Sequence, residues 1–344
     1  MDTRPHRSRL IFTALILGVV VIGFLSLRYG AISIAWSEIT NSFYSLMGSG
    51  DTLTLNERIF LDIRLPRAIA CFLVGGSLAV SGVLMQGLFR NPIVEPGLIG
   101  TSSGAAFGAA LYFVLGATFR IHLNEWTLPL AACAGGVLST GLVFLLSRSR
   151  ISGKSSVFSL LLTGIAVNAL FLSGVGFLSY IARDPQARSI TFWNLGTLSG
   201  SNWASVIALL VSFLVCLFWA LRQAGNLNAL MMGEDEAMLI GVDVRRLKRT
   251  VMGINVILVA VATSFTGVIA FVGLIVPHLL RLLHGSDNRY LITGSALLGG
   301  ILLSAADLIA RLTLAPSELP IGIVTSLVGV PVFVVLLRKS QYSF

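Results

Sequence analysis

Apolar residues run along this chain in long uncharged blocks separated by short polar breaks. The blocks cover 10–27, 68–89, 96–119, 126–147, 155–182, 189–221, 250–280, 290–306 and 319–337. A bilayer core about 30 Å thick takes about 20 apolar residues as a helix, so each block predicts a spanning helix. That makes nine, which would put the two termini on opposite sides. Yet both ends are basic, with Arg4, Arg7 and Arg9 at the start and Arg338 and Lys339 at the end. Lysine and arginine are retained on the cytoplasmic side, so the number of spans should be even. Block 250–280 resolves the conflict. As one helix it would be roughly 46 Å long, too long for a single crossing without a large tilt. It contains Gly267, Gly273 and Pro277, which can break or turn it. We divide it into a seventh helix and a short eighth that runs past Pro277 to about His284, for ten in all.

The charge distribution agrees. With both termini cytoplasmic, the inner segments hold 16 of the 24 lysines and arginines. The outer segments hold the other 8: Arg28, Arg58, Arg64, Arg67, Arg120, Arg183, Arg188 and Arg311. Composition places the chain in the same class. Of its 344 residues 55% are hydrophobic and 11% charged, against about 25% charged in soluble domains, and mean hydropathy is +0.89. The net charge of +9 would otherwise suggest nucleic acid, but here the cations sit between apolar runs, where topology accounts for them. Cys71, Cys133 and Cys216 lie inside apolar blocks without metal-ligand spacing and read as small buried hydrophobes. Block 10–27 is long for a signal-peptide core and lacks a small-x-small cleavage site, so it reads as a retained first helix. The whole chain, 1–344, is one all-α polytopic membrane domain.

Two helices share a pattern. "SGVLMQGLFRNP" in the second and "TGVIAFVGLIVP" in the seventh each place a proline, Pro92 or Pro277, ten residues after a glycine, Gly82 or Gly267. Helices five apart in order cross in opposite directions, so this suggests an inverted internal repeat. Among the loops, 225–249 stands out. Glu234, Asp235 and Glu236 suit a helix N-terminus, Ala237 to Ile240 follow, and Gly241 suits a C-cap. Arg245, Arg246, Lys248 and Arg249 come next, so the loop reads as two short surface helices, acidic then basic. On the outer side Arg183, Asp184 and Arg188 precede Phe192, Trp193 and Trp203. This is either an aromatic interface belt or the mouth of a path for a large planar or anionic substrate. Asp307 and Arg311 are spaced to pair on one helix face. His278 and Arg281 form no metal-ligand pattern, and there is no Walker A, nucleophile-elbow or HExxH motif.

The stretch from Arg64 to Gly108, "RLPRAIACFLVGGSLAVSGVLMQGLFRNPIVEPGLIGTSSGAAFG", closely resembles the permeases of type II ABC importers that take up ferric siderophores, heme or cobalamin. "GLIVPHLLRLL" and "ELPIGIVTSLVGVPVFVVLL" resemble the C-terminal half of the same family. The resemblance implies ten membrane helices with an inverted repeat. It also implies a second permease copy, most simply a homodimer, two cytoplasmic ATPase subunits and a periplasmic binding protein. It assigns coupling to the ATPase to Gly233, Glu234, Asp235, Glu236, Ala237, Met238, Leu239, Ile240, Gly241 and Val242. It assigns binding-protein docking to Arg64, Arg67 and Arg311, with Pro66 in the first turn of its helix. The gate falls on Asn91, Pro92 and Ile93, and a second gate segment falls near "SGKSSVF". The expected location is the bacterial inner membrane with both termini cytoplasmic. No cofactor or metal is expected on this chain, and ATP and Mg would sit on the partners.

"EPGLIGTSSGA" and "ITFWNLGTLSG" resemble the heme branch most, with ferric siderophore and cobalamin as alternatives. Ile93 and Glu95 depart mildly from the family pattern. The implied mechanism is alternating access along a path lined by the second, fifth and eighth helices, with Arg183, Arg188, Phe192 and Trp193 at its mouth. An ion-coupled secondary transporter is the rival of another class. It needs intramembrane carboxylates, and Asp307, already spaced to pair with Arg311, is the only acid near a span interior. A membrane enzyme would need a catalytic constellation, and the motifs offer none.

Overall fold

The computed structural model describes residues 4–30, 34–46, 54–119, 124–147 and 157–341. The chain forms α1 (Arg4–Arg28), α2 (Trp36–Leu46), α3 (Leu55–Ile59), α4 (Leu65–Phe89), α5 (Thr101–Phe119), α6 (Thr127–Leu146) and α7 (Val157–Ile181). It continues as α8 (Gln186–Leu195), α9 (Trp203–Met232), α10 (Glu234–Leu239), α11 (Val244–Thr266), α12 (Val272–His284), α13 (Asn288–Thr313) and α14 (Ile321–Gln341). A π-helical turn, Phe60–Arg64, joins α3 to α4, and a 3₁₀ turn, Pro96–Ile99, precedes α5. Seven of the described helices are long and apolar enough to cross a membrane, and the shorter apolar stretches Thr101–Gly116, Val272–His284 and Ile321–Val335 add three. The ten agree with the ten expected.

The divided block breaks where the backbone needs it. Gly267 ends α11 at φ 72°, and Phe271 starts α12 at φ 70°. Pro277 lies inside α12, which ends at His284. The shared pattern of the second and seventh helices is therefore not matched residue by residue. Gly82 is deep inside α4 and Gly267 is a helix end; Pro92 lies in a loop and Pro277 in a helix. The outer loop holds a separate helix, α8, because Gly196 turns the chain at φ 74° and Asn202 caps α9 by accepting the Ser205 N–H at 2.8 Å. Region 225–249 holds only one short surface helix. Its first part is the end of α9, and its basic part is the first turn of α11, capped by Asp243 accepting the Arg246 N–H at 2.9 Å.

The core is built around α4. Nearly every residue from Ala70 to Phe89 is buried, enclosed by α9, α11, α12 and α13. Close approach requires small residues, as in membrane helix pairs generally. A Cβ on Gly75 would strike the Gly299 carbonyl of α13, and one on Gly82 would strike the Gly273 carbonyl of α12. Ser81 adds a buried hydrogen bond to Asn255 of α11. A second layer, α5 on α6, meets through Gly104 and Gly135 in the same way. This placement corrects one expectation: α4 is wrapped inside its own subunit and presents little surface to a path.

Packing this tight predicts that Gly75→Leu lowers thermal stability by about 1–3 kcal/mol or more through overpacking. Gly141→Leu in α6, where a side chain meets nothing within 4 Å, should change little. Melting of the purified protein in one detergent compares the two, and equal melting temperatures would contradict the central placement of α4.

Candidate functional site

The arginines of the RLPR motif sit at the end of the bundle where α1 finishes, and they are not free. Arg64, Arg67 and Arg311 are 6%, 7% and 4% exposed. The π-turn widens the helix just before Leu65 and directs Arg64 toward α1, where its Nη1 donates to the carbonyls of Leu27 and Arg28 at 3.0 and 2.8 Å. Arg67 donates through Nε and Nη2 to Asp307 Oδ1 at 3.1 and 2.8 Å and through Nη1 to Glu318 at 2.8 Å. Asp307 lies in α13 with 0% exposure, and Glu318 lies in the link to α14. Arg311 Nε is 2.9 Å from Asp307 Oδ2, a contact of charge more than of hydrogen-bond alignment. Arg311 Nη2 also donates to Ser26 Oγ at 2.8 Å. Three cations thus face two carboxylates. The carbonyls at the C-terminus of α1, the negative end of its dipole, supply the remaining balance. The expected pairing of Asp307 with Arg311 is present. The three arginines expected to dock a binding protein are inner members of a buried network, each satisfied by a carboxylate or a helix-end carbonyl.

The proposed mouth is split. Arg183, Arg188 and Phe192 are exposed, but Trp193 is buried at 8% among Ala105, Ala109 and Ile190. Its ring faces the α5 layer, so it supports α8 and lines nothing. Next to it is a feature that uncharged blocks do not reveal. An open, mainly apolar groove of about 610 Å³ runs between Asn194 and Leu195 of α8, Val268 of the α11–α12 link, and Gly322, Ser326 and Val330 of α14. The break at Gly267 was the sequence signal for it, since only an unwound link gives the groove its floor.

At the other end of the bundle, α4 finishes at Arg90 in the left-handed region, φ 50°. Asn91, Pro92 and Ile93 are exposed, and the Asn91 side chain accepts the Ile93 N–H at 3.0 Å. Val94 then turns inward, and Glu95 accepts the Phe271 N–H at 3.0 Å. The link holding the proposed gate residues is therefore tied to the start of α12. A second tie runs from Arg281 Nη1 to Gln86 Oε1 at 2.5 Å, while Gln86 Nε2 donates to the Gly273 carbonyl at 3.2 Å. Glu95, Gln86 and Phe271 were not singled out by their chemistry, because none belongs to a charge pair. The second gate segment, 152–158, lies mostly outside the described residues.

The surface helix α10 is short and well defined. Gly233, at φ 149°, turns the chain out of α9, and Glu234, Asp235 and Glu236 occupy the first turn. Lys248 of α11 grips both oxygens of Glu234 at 2.8 Å. Ala237 is fully buried and accepts the Val242 N–H at 3.0 Å, so it anchors the helix. Met238, Leu239 and Ile240 are 52%, 87% and 61% exposed. Gly241 closes the turn at φ 89°. Among the described residues no group of three or more His, Cys, Asp or Glu could hold a metal ion.

The described residues form an all-helical bundle of ten apolar helices with one exposed apolar surface helix, the architecture of a type II ABC importer permease. The chain matches the model of the FecCD transport family over residues 17–339 and belongs to that family. It is 38% identical to the hemin transport system permease protein HmuU of Yersinia pestis over 335 residues, 97% of each chain. It is 41% identical to the cobalamin import system permease protein BtuC of Halobacterium salinarum over 306 residues, 89% of this chain and 80% of that one. A solved structure of a metal-chelate type ABC transporter in an inward-facing conformation superposes with TM-score 0.83 at 33% identity, covering 96% of this chain and 99% of that one. The chain is accordingly a multi-pass permease of an ABC importer.

The network makes a graded prediction. Asp307→Asn leaves two buried arginines without their shared carboxylate and should cost about 3–5 kcal/mol. Glu318→Gln removes a partner that is one-third exposed and should cost about 1 kcal/mol or less. Unfolding in detergent measures both, and equal losses would show that Asp307 does not organise this end.

Proposed function

We propose that this chain is the membrane subunit of an ATP-driven importer that moves a metal chelate, heme first, from the periplasm to the cytoplasm of a bacterium. Two copies face each other, with their apolar α8–α14 grooves turned toward a shared path. Both termini are cytoplasmic, which fits the excess of cations on that side. ATP and magnesium belong to two partner ATPase subunits.

The observation that carries this reading is α10. A surface helix held by Ala237 and by the Glu234–Lys248 pair, yet showing Met238, Leu239 and Ile240 to the outside, is shaped to fit a groove on a soluble partner. Its acidic first turn and the cations of α11 flank that apolar tip. Movement of the partner would be passed to α9 and α11, between which α10 is strung. At the outer end the buried network carries one more cation than carboxylate, and Glu318, one-third exposed, is its most accessible member. An acidic side chain of a binding protein arriving there would meet a positive field that Arg64, Arg67 and Arg311 create from beneath the surface. An ion-coupled transporter is disfavoured because Asp307 is already held by two arginines.

Heme is supported by end-to-end similarity to a hemin permease and by the "ITFWNLGTLSG" segment, whose Asn194 and Leu195 line the groove. Cobalamin is the second reading, supported by the higher identity to a cobalamin permease over a shorter span.

Leu239→Glu with Ile240→Glu should leave the permease folded but abolish co-purification of the ATPase and substrate-stimulated hydrolysis. Retention of both would remove α10 from the coupling role. In vesicles holding the whole transporter and its binding protein, heme should raise ATP hydrolysis and accumulate inside. Stimulation by cobalamin alone would overturn the heme assignment while leaving the importer reading intact.

A further inference from the structure

The side of the bundle near the α10 end carries exposed arginines whose arrangement goes beyond what topology asks of them. Arg222 of α9 does not extend along the helix toward the α10 end. Its guanidinium lies back over the ring of Phe218, one turn deeper in the apolar run, at 4.4 Å, and over Trp219 at 5.6 Å. Phe218 and Trp219 are 52% and 45% exposed, so the cation is spread on an outward-facing aromatic platform. Arg289 of α13 reaches the same face, with Nη2 3.9 Å from the point where a Cβ on Gly225 would sit, one turn along α9 from Arg222. Arg7 of α1 is within electrostatic reach of Tyr290, the next residue of α13. Of these helices, α13 and α9 pack side by side and bring Arg289 and Arg222 to one rim.

No carboxylate answers them. Among the described residues Arg7, Arg222 and Arg289 have no ion pair. The nearest acid on α13, Asp287, is engaged by the Arg289 backbone N–H at 2.8 Å and by Asn228 Nδ2 at 3.0 Å. Topology alone does not account for the arrangement. An arginine serving only as a cytoplasmic anchor extends toward water, whereas Arg222 is drawn toward the membrane interior by its rings. A cation held over those rings and lacking a carboxylate can still take an anion from outside the chain. The anion at the boundary of headgroup and acyl chains is the phosphate of a phospholipid.

We propose that Arg222 and Arg289 form a binding site for the headgroup of an anionic phospholipid in the leaflet on the α10 side, with Trp219 and Phe218 against its upper acyl chains. Each surface cation adds about fivefold to the preference for anionic over zwitterionic lipid, roughly 1 kcal/mol. The site lies where α9 leaves the bilayer toward α10, so lipid bound there would steady the base of the coupling helix.

The native tryptophan reports on this directly. The complete transporter is reconstituted in phosphatidylcholine vesicles doped with phosphatidylglycerol or phosphatidylcholine brominated high on the acyl chains. The Trp219 signal is taken as the difference between the wild type and Trp219→Phe. We expect brominated phosphatidylglycerol to quench that signal more than an equal fraction of brominated phosphatidylcholine. The excess should vanish in Arg222→Gln/Arg289→Gln and survive in Arg222→Lys/Arg289→Lys. Equal quenching by the two lipids in the wild type would overturn the proposal, and so would an excess that persists in the glutamine variant. Removal of the excess by inorganic phosphate would reassign the cluster to a soluble anion.

Discussion

Asp307 is the point on which the RLPR end of this protein is organised. It is a fully buried carboxylate, and such a charge is tolerated only when fully compensated. Arg67 and Arg311 compensate it from α4 and α13, and Glu318 and the end of α1 absorb what those arginines have left over. The consequence is mechanical. Four pieces of chain, namely α1, α4, α13 and the link before α14, are held in one arrangement at that end. Non-directional packing would let α1 slide along α13. The directional bonds from Arg64 and Arg311 to the carbonyls between Ser26 and Tyr29 fix its height.

Inward from that network the bundle relies on contact rather than charge. Lipid supplies no hydrophobic drive between helices, so close van der Waals approach has to provide the adhesion. Glycines on α4 meet backbone on α12 and α13, and the same device joins α5 to α6. Glycine pairs allow one depth of approach and no other residue in its place. The same sequence feature therefore gives adhesion and register together. It also makes α4 a poor candidate for any element that must reshape itself during transport.

The ten helices were legible because lipid imposes a simple rule on composition, and the break within 250–280 was legible because the length exceeded what a bilayer can hold. The acidic first turn of α10 was legible for the same kind of reason: three adjacent carboxylates need a helix start. The rest depended on information that linear pattern does not carry. RLPR shows two cations at the mouth of a helix, and only the fold brings Asp307 against them, 240 residues away. Trp193 reads as an interface aromatic from its neighbours in sequence, yet α8 turns its face to the α5 layer. The helix α8 itself hid inside an uncharged block, since Gly196 and Asn202 break a helix without adding charge. Glu95 drew notice only as a departure from a family pattern. Its bond to Phe271 joins two links that sequence places far apart.

That bond bears on how access can alternate. A core packed through backbone contacts transmits displacement and does not absorb it. The link 91–100 and the link 267–271 are joined by Glu95, and α4 and α12 are joined again by Gln86 and Arg281. A change at either link without the other would leave the Glu95 carboxylate or the Phe271 N–H unpaired in a buried setting, at a cost of about 1–3 kcal/mol. The two links therefore move as one body with α4 and α12. The ends of α8 and α14 are tied to the same region: the Thr197 N–H donates to the Thr266 carbonyl at 2.7 Å and the Ile321 N–H to the Gly196 carbonyl at 3.1 Å. Displacement of the 267–271 link is therefore passed to the elements that border the groove as well as to α4 and α12.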